Sequence, residues 1–514
     1  MAPKRSKYVR QERNGKIVYV PSSNVLNPSN TSTPRIQARA ARQRVYYFAS
    51  LLGACCERWL PPIVIASAAG LNLGLVWLGW HTLTNPDMIY WVNQWTPGNR
   101  NRKIPADDQP KTLDEIVAQM RRNGKNPGEP IALDSEFGFG DYTNRAKTAA
   151  FPIWVNRKDS GCPKGCEAIQ AIQVYRTIEL PRLIRLFQRQ PRFRKANRLA
   201  IAGPSEQDLA RLVRSLTRSG SAEGSTSPMP MSAVAMMDTG GANRWLLLSG
   251  LKSKGNATAS FGQILHVSPQ RTQMSVMLNW LSPSGKSPVW KDVTGDGQLD
   301  IMIEQSFELE PSFSVYQLEQ SPNGSRWVRP ITLSTAAIAT PAYQNALRLA
   351  KSGLWNQAQA RLEILKTESQ VWPLEAQTQL EFIRLHVEVL RLDANLAFSD
   401  PVAEVQALLI RGEWQQAEAA LLRSSNVFES VQIVLESDNG QIGDRIHTAA
   451  LVGPDKQAAV DWGIVYHYAR GGKGQAESWL KTNHSQFASR LKPMLKKLTD
   501  VTRTESEGSS SNQT

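Results

Sequence analysis

The residues best equipped for chemistry lie in "KDVTGDGQLDIMIE", residues 291–304, where Asp292, Asp296 and Asp300 crowd into a short loop with two glycines between them. Asp292, Thr294, Asp296, the Gln298 carbonyl and Asp300 take positions 1, 3, 5, 7 and 9 of a D-x-T-x-D-G-x-x-D loop. That is the oxygen array a hard divalent cation such as calcium accepts. Unpaired, the carboxylates would repel one another, and Gly295 and Gly297 let the loop fold tightly enough for their oxygens to converge. Position 12 is Ile303 rather than Glu, so this is no EF-hand, and "LDIMIE" alternates as a strand does. A solvated Asp-Gly turn is the alternative reading.

Other reactive residues are sparse. Cys162 and Cys166 in "SGCPKGCEA" are spaced for either a tight disulfide or two free thiols, and no second cysteine pair completes a zinc site. The six histidines are scattered, with no H-E-x-x-H, G-x-S-x-G, Walker loop or dinucleotide fingerprint. Asp134 and Glu136 are alternate carboxylates that nothing marks as acid and base. They are the residues to test under a competing reading, a membrane-tethered cell-wall or glycan hydrolase.

The elements that must position these residues follow from charge and period. The net charge of +15 over 514 residues is concentrated at the N-terminus, where residues 1–58 hold eleven Lys or Arg against Glu12 and Glu57. A basic tail is therefore expected there, followed by an uncharged run from Trp59 to Pro86 whose core, residues 59–83, is long enough for one transmembrane helix. Short Lys/Arg-rich flanks stay cytoplasmic, so the expected arrangement is a single-pass protein with a cytoplasmic N-terminus and its bulk exported. Nucleic acid is disfavoured as a partner in that compartment. Ala66, Gly70 and Gly74 recur every four residues, the spacing of a face through which two membrane helices self-associate.

Beyond the span, residues 84–130 read as a stalk with one helix, "TLDEIVAQMRR". Residues 131–335 carry short alternating or apolar runs, "AIQAIQVYRTIEL", "RWLLLSG", "ASFGQILHV", "QMSVMLNWL" and "FSVYQLEQ" among them, and read as a β-rich α+β domain that also holds the acidic loop. The basic run from Arg176 to Arg198 reads as a solvated helix face, with an anionic lipid or cell-wall surface as the alternative. Residues 340–498 change to a helical period, and 499–514 form a disordered tail.

In the helical part, Gly353, Trp355, Ala358 and Leu362 recur as Gly412, Trp414, Ala417 and Leu421 at an offset of 59, and a third copy keeps Gly471, Ala476 and Leu480 with Lys473 in place of the tryptophan. The pattern G-x-aromatic-x-x-A-x-x-x-L resembles the turn and second helix of a tetratricopeptide repeat. The 59-residue period departs from that family's 34, so each copy must hold about one further helix or loop. The acidic loop leading into a strand resembles the calcium loops of FG-GAP and VCBS-type β repeats, which implies a structural calcium. The whole order resembles a loosely known group of cyanobacterial membrane-anchored proteins, which implies an inner or thylakoid membrane and gives no indication of an activity. The expected function is a membrane-anchored scaffold of a cell-envelope complex, septal or junctional, binding protein partners through its β domain and helical repeats.

Overall fold

The computed structural model describes residues 8–13, 16–21, 70, 72–77, 79–80, 83–84, 87, 109–133, 147–158, 165–178, 190–218, 223–237, 244–255, 257–268, 272–307, 310–321, 326–394, 400–423 and 425–498. Two compact units emerge, residues 1–89 and 90–514.

In the first unit, β1 (Tyr8–Arg13) pairs antiparallel with β2 (Lys16–Pro21), Arg13 standing opposite Lys16. The expected transmembrane helix is corrected here. Among the described residues no helix is long and apolar enough to cross a membrane. Residues 59–69, Ala66 included, lie outside the described residues. A Cβ built on Gly70 or Gly74 would meet nothing within 4 Å, so neither glycine marks a close approach within this chain. The single-pass arrangement and its assignment to an inner or thylakoid membrane are accordingly not supported.

The second unit opens with α1 (Leu113–Arg122), started by a capping box in which Thr112 and Glu115 exchange side-chain and backbone hydrogen bonds. Its Ile116 and Met120 are buried against a sheet, so the segment expected to be a stalk carries a packed helix. That sheet is built from β3 (Asn126–Pro127), β4 (Ile131–Ala132), β5 (Thr148–Arg157), β6 (Cys166–Thr177) and β7 (Phe193–Ala200), in the order β3-β5-β6-β7 with β4 also on β5. Residues 193–200 of the basic run are thus a strand, not a helix face. Pro152 is tolerated inside β5 because β3 pairs at Ile153 and β4 at Ala150, leaving the proline opposite the gap between them.

Next come α2 (Glu206–Thr217), capped by Ser205 and Asp208, and a second sheet of β8 (Ala233–Met237), β9 (Arg244–Lys254), β10 (Ala257–Ser268) and β11 (Gln273–Ser282) in antiparallel order β11-β10-β9-β8. A third sheet is the meander of β12 (Val289–Lys291), β13 (Asp300–Glu304), β14 (Phe313–Gln320) and β15 (Arg326–Pro330).

The period-2 pattern turns these sheets into layers. Phe151, Ile153 and Ala171 of the first sheet face α1, while Ala150, Ile172 and Val174 face Leu246, Leu248, Phe261 and Leu265 of the second. On the opposite face of the second sheet, Trp245, Ile264 and Trp280 meet Ile301 and Ile303 of the third. Phe313 and Val315 then turn the other face of the third sheet to the helices. Burial on both faces is why strands such as "RWLLLSG" are nearly continuous in apolar residues.

The helices are α3 (Pro341–Lys351), α4 (Trp355–Glu368), α5 (Leu374–Ala394), α6 (Pro401–Arg411), α7 (Trp414–Leu421), α8 (Ser425–Ser437), α9 (Gln441–Val452) and α10 (Lys456–Asn483), the last kinked at Gly471 and Gly472. Arg445 on α9 pairs with Glu310 before β14, and Arg218 after α2 pairs with Asp444 on α9, so ion pairs as well as apolar packing join sheets to helices.

Candidate functional site

The acidic loop joins β12 to β13, and its carboxylates are turned onto the loop's own backbone. Asp292 accepts from the Gly295 N–H (2.7 Å) and the Gly297 N–H (2.9 Å), and Asp296 accepts from the Gln298 N–H (2.8 Å). Asp300 is buried, and one of its oxygens accepts from the Val293 and Thr294 N–H groups and from the Thr294 hydroxyl, at 3.0–3.1 Å. Burial pushes the Asp300 carboxyl up from its ordinary range despite those three donors. Gly295 and Gly297 take positive φ, +74° and +81°, as the sequence requires of them. Among the described residues no group of three or more His, Cys, Asp or Glu is placed to hold a metal ion. The Thr294 hydroxyl donates to Asp300. These hydrogen bonds close a tight turn between two strands.

The repeated alanine and leucine positions are all buried. Ala358, Ala417 and Ala476 are fully buried, as are Leu362, Leu421 and Leu480 within 2 %. Gly353 and Gly412 end α3 and α6 with φ of +86° and +73°, and Trp355 and Trp414 open α4 and α7. In the third copy the positive φ falls on Gly472 rather than Gly471, and the helix kinks instead of breaking. Helix α5, from the apolar run "LEAQTQLEFIRLHVEVLRL", fills the first interval; α8 and α9 fill the second.

Two histidine settings, absent from the sequence reading, emerge in the helices. His386 on α5 is buried, stacked on Trp355 at 3.8 Å between ring centres and edge-on to Phe313 and Phe382. Its Nδ1 lies 2.9 Å from the Phe382 carbonyl, and burial holds its pKa down at about 4.

The second setting joins α9 to α10. His447 Nε2 and His467 Nε2 are 3.0 Å apart, their rings nearly parallel, with Trp479 stacked on both and His484 against Trp479. Side chains lean toward a helix N-terminus, so His467 reaches back toward the turn after α9 and His447 leans away from it until they meet. Burial lowers the pKa of all three histidines, His467 to about 4. The available sequence signal was the Gly453-Pro454-Asp455 turn between two helical patterns, each carrying a histidine.

Cys166 opens β6 and is disulfide-bonded; Cys162, like Asp134 and Glu136, lies outside the described residues. Compared with protein-family models, curated proteins and solved structures, the chain matches none. The tetratricopeptide and FG-GAP resemblances therefore rest on the quoted residues alone.

Proposed function

We propose that the chain is an interaction protein whose helical array, braced on three sheets, binds protein partners. One observation carries the reading: three segments 59 residues apart place Ala358, Ala417 and Ala476 at equivalent buried contacts, the construction of an array that stacks helices to present an extended surface. Leu392 on α5, Ile433 on α8 and Leu451 on α9 remain exposed on the helices that fill the intervals. Crosslinking in cells followed by identification of the captured protein, and reconstitution with the purified full chain, tests it. A partner whose affinity falls at least about tenfold on Ile433→Glu or Leu392→Glu, and holds on Leu251→Glu in β9, is the expected result. Binding indifferent to the array, or turnover of a glycan substrate by the purified chain, would overturn the reading.

A further inference from the structure

We propose that His447 and His467 form a bidentate site for one divalent transition-metal ion of the Zn2+, Ni2+ or Cu2+ class, cross-linking α9 to α10. The site is independent of the interaction reading. Its geometric basis is the 3.0 Å between the two Nε2 atoms. Metal–imidazole bonds of about 2.0–2.1 Å, at angles from square-planar to tetrahedral, set two nitrogens about 2.9–3.4 Å apart. The separation matches the bite of a single ion, and because the ring centres stand 5.2 Å apart, nearly head to head, binding requires each ring to turn until both lone pairs converge on the metal.

The surroundings fit an imidazole-only chelate. Both rings come from helices rather than loops, and Trp479 lies stacked at 5.8 Å from His447 and 4.9 Å from His467. The Nδ1 of His467 is buried without a hydrogen-bond partner, so no neighbour at Nδ1 fixes that ring's tautomer. Burial keeps both rings neutral near pH 7, the form a metal binds. Of the charged groups around the pair, Arg470 acts on His467 and opposes a cation, while Asp444 acts on His447 and supports one. Arg470 donates to the carbonyls of Leu435, Glu436 and Asp438; Asp438 accepts from Tyr466; Asp444, on α9 with His447, favours a cation. Lys456 acts on His484, across Trp479 from the pair. With no third protein ligand grouped among the described residues, water completes the sphere. In the metal-free pair one Nε2 carries a proton donated to the other. On binding, that proton leaves Nε2 and the same ring takes one up at Nδ1, so both lone pairs face the ion and the net charge change is the metal's own.

The test is calorimetric titration of the metal-stripped full chain with NiCl2 and with ZnCl2 at about pH 7.5. One equivalent should bind, with a rise in Tm, and His447→Gln and His467→Gln should each weaken binding at least about tenfold while His266→Gln and His484→Gln leave it unchanged. Cu2+-loaded wild type should show hyperfine coupling to two imidazole nitrogens in its electron paramagnetic resonance spectrum, a reading that needs no variant. No saturable binding up to about 1 mM metal, binding undiminished in the His447→Gln/His467→Gln double variant, or a Cu2+ spectrum without nitrogen coupling would each overturn the site and leave a hydrogen-bonded histidine pair.

Discussion

His386 shows what burial does to one titratable side chain. Its ring is enclosed by Trp355, Phe382 and Phe313, and its folded pKa of about 4 lies below the ordinary 6.5. A depressed folded pKa means that the contribution to stability is complete above about pH 6.5 and is lost as pH falls through 4. The full loss is on the order of 3 kcal/mol. Urea midpoints measured across that window should fall more steeply in wild type than in His386→Phe, with His266 and His467 adding acid sensitivity common to both. The acidic loop makes a second prediction, under the proposal that it takes calcium. Calcium at about ten times its dissociation constant should stabilise the protein by about 1.4 kcal/mol, and Asp296→Ala should abolish the Tm shift. An unmoved Tm would leave the loop as the self-satisfied turn its hydrogen bonds already describe.

At the scale of elements, the repeated glycines are set by backbone geometry. Gly412 ends α6 at φ +73°, and a Cβ there would come within 2.6 Å of Leu354 and 2.8 Å of the Gln357 amide, which itself donates to the Gly412 carbonyl. Strain and crowding act together, so Gly412→Ala should cost about 1–3 kcal/mol in equilibrium unfolding. Gly472→Ala has open space around it but a φ of +71° with a ψ of −169°, a region essentially confined to glycine, so backbone strain alone should put its cost at the upper end of that range. A negligible loss at Gly472 would show that backbone strain is not what constrains these glycines. Gly463 is the complementary case on α10, ordinary in backbone but closed over by the Trp479 ring, which the third repeat brings back across the kink.

For the molecule as a whole, the layers leave no seam at which the helices separate cleanly from the sheets. The third sheet gives Ile301 and Ile303 to one core and Phe313 and Val315 to the next. Arg445, buried at the base of α9, takes its charge partner Glu310 from the chain between β13 and β14, and its guanidinium lies against Gly353 at the first helix pair. Removing the partner of a buried charge is expensive, so Glu310→Ala should destabilise by about 3–5 kcal/mol. Residues 90–514 should also unfold in one transition when followed by near-ultraviolet and far-ultraviolet circular dichroism. Separate midpoints for sheets and helices would refute a shared core.

The sequence by itself determined the elements whose signals are local. The capping box at Thr112 starts α1, two-residue periods mark β9 to β11 and β14, and the 59-residue offset marks helices that bury Ala358, Ala417 and Ala476. It also held a signal left unread, Asn14-Gly15 between the paired strands β1 and β2. Hydropathy and length alone predicted a membrane-spanning helix at residues 59–83, whereas among the described residues no helix is long and apolar enough to cross a membrane. Strands β5 and β7 were missed because Pro152 and the charges of "FRKANR" mask their period, and only pairing with β6 fixes them. The acidic loop was legible as a turn, but which way each carboxylate faces depended on the burial of Asp300 beneath Thr294. The His447 and His467 pair was decided entirely by tertiary structure, since twenty residues and a crossing of two helices separate side chains that end 3.0 Å apart.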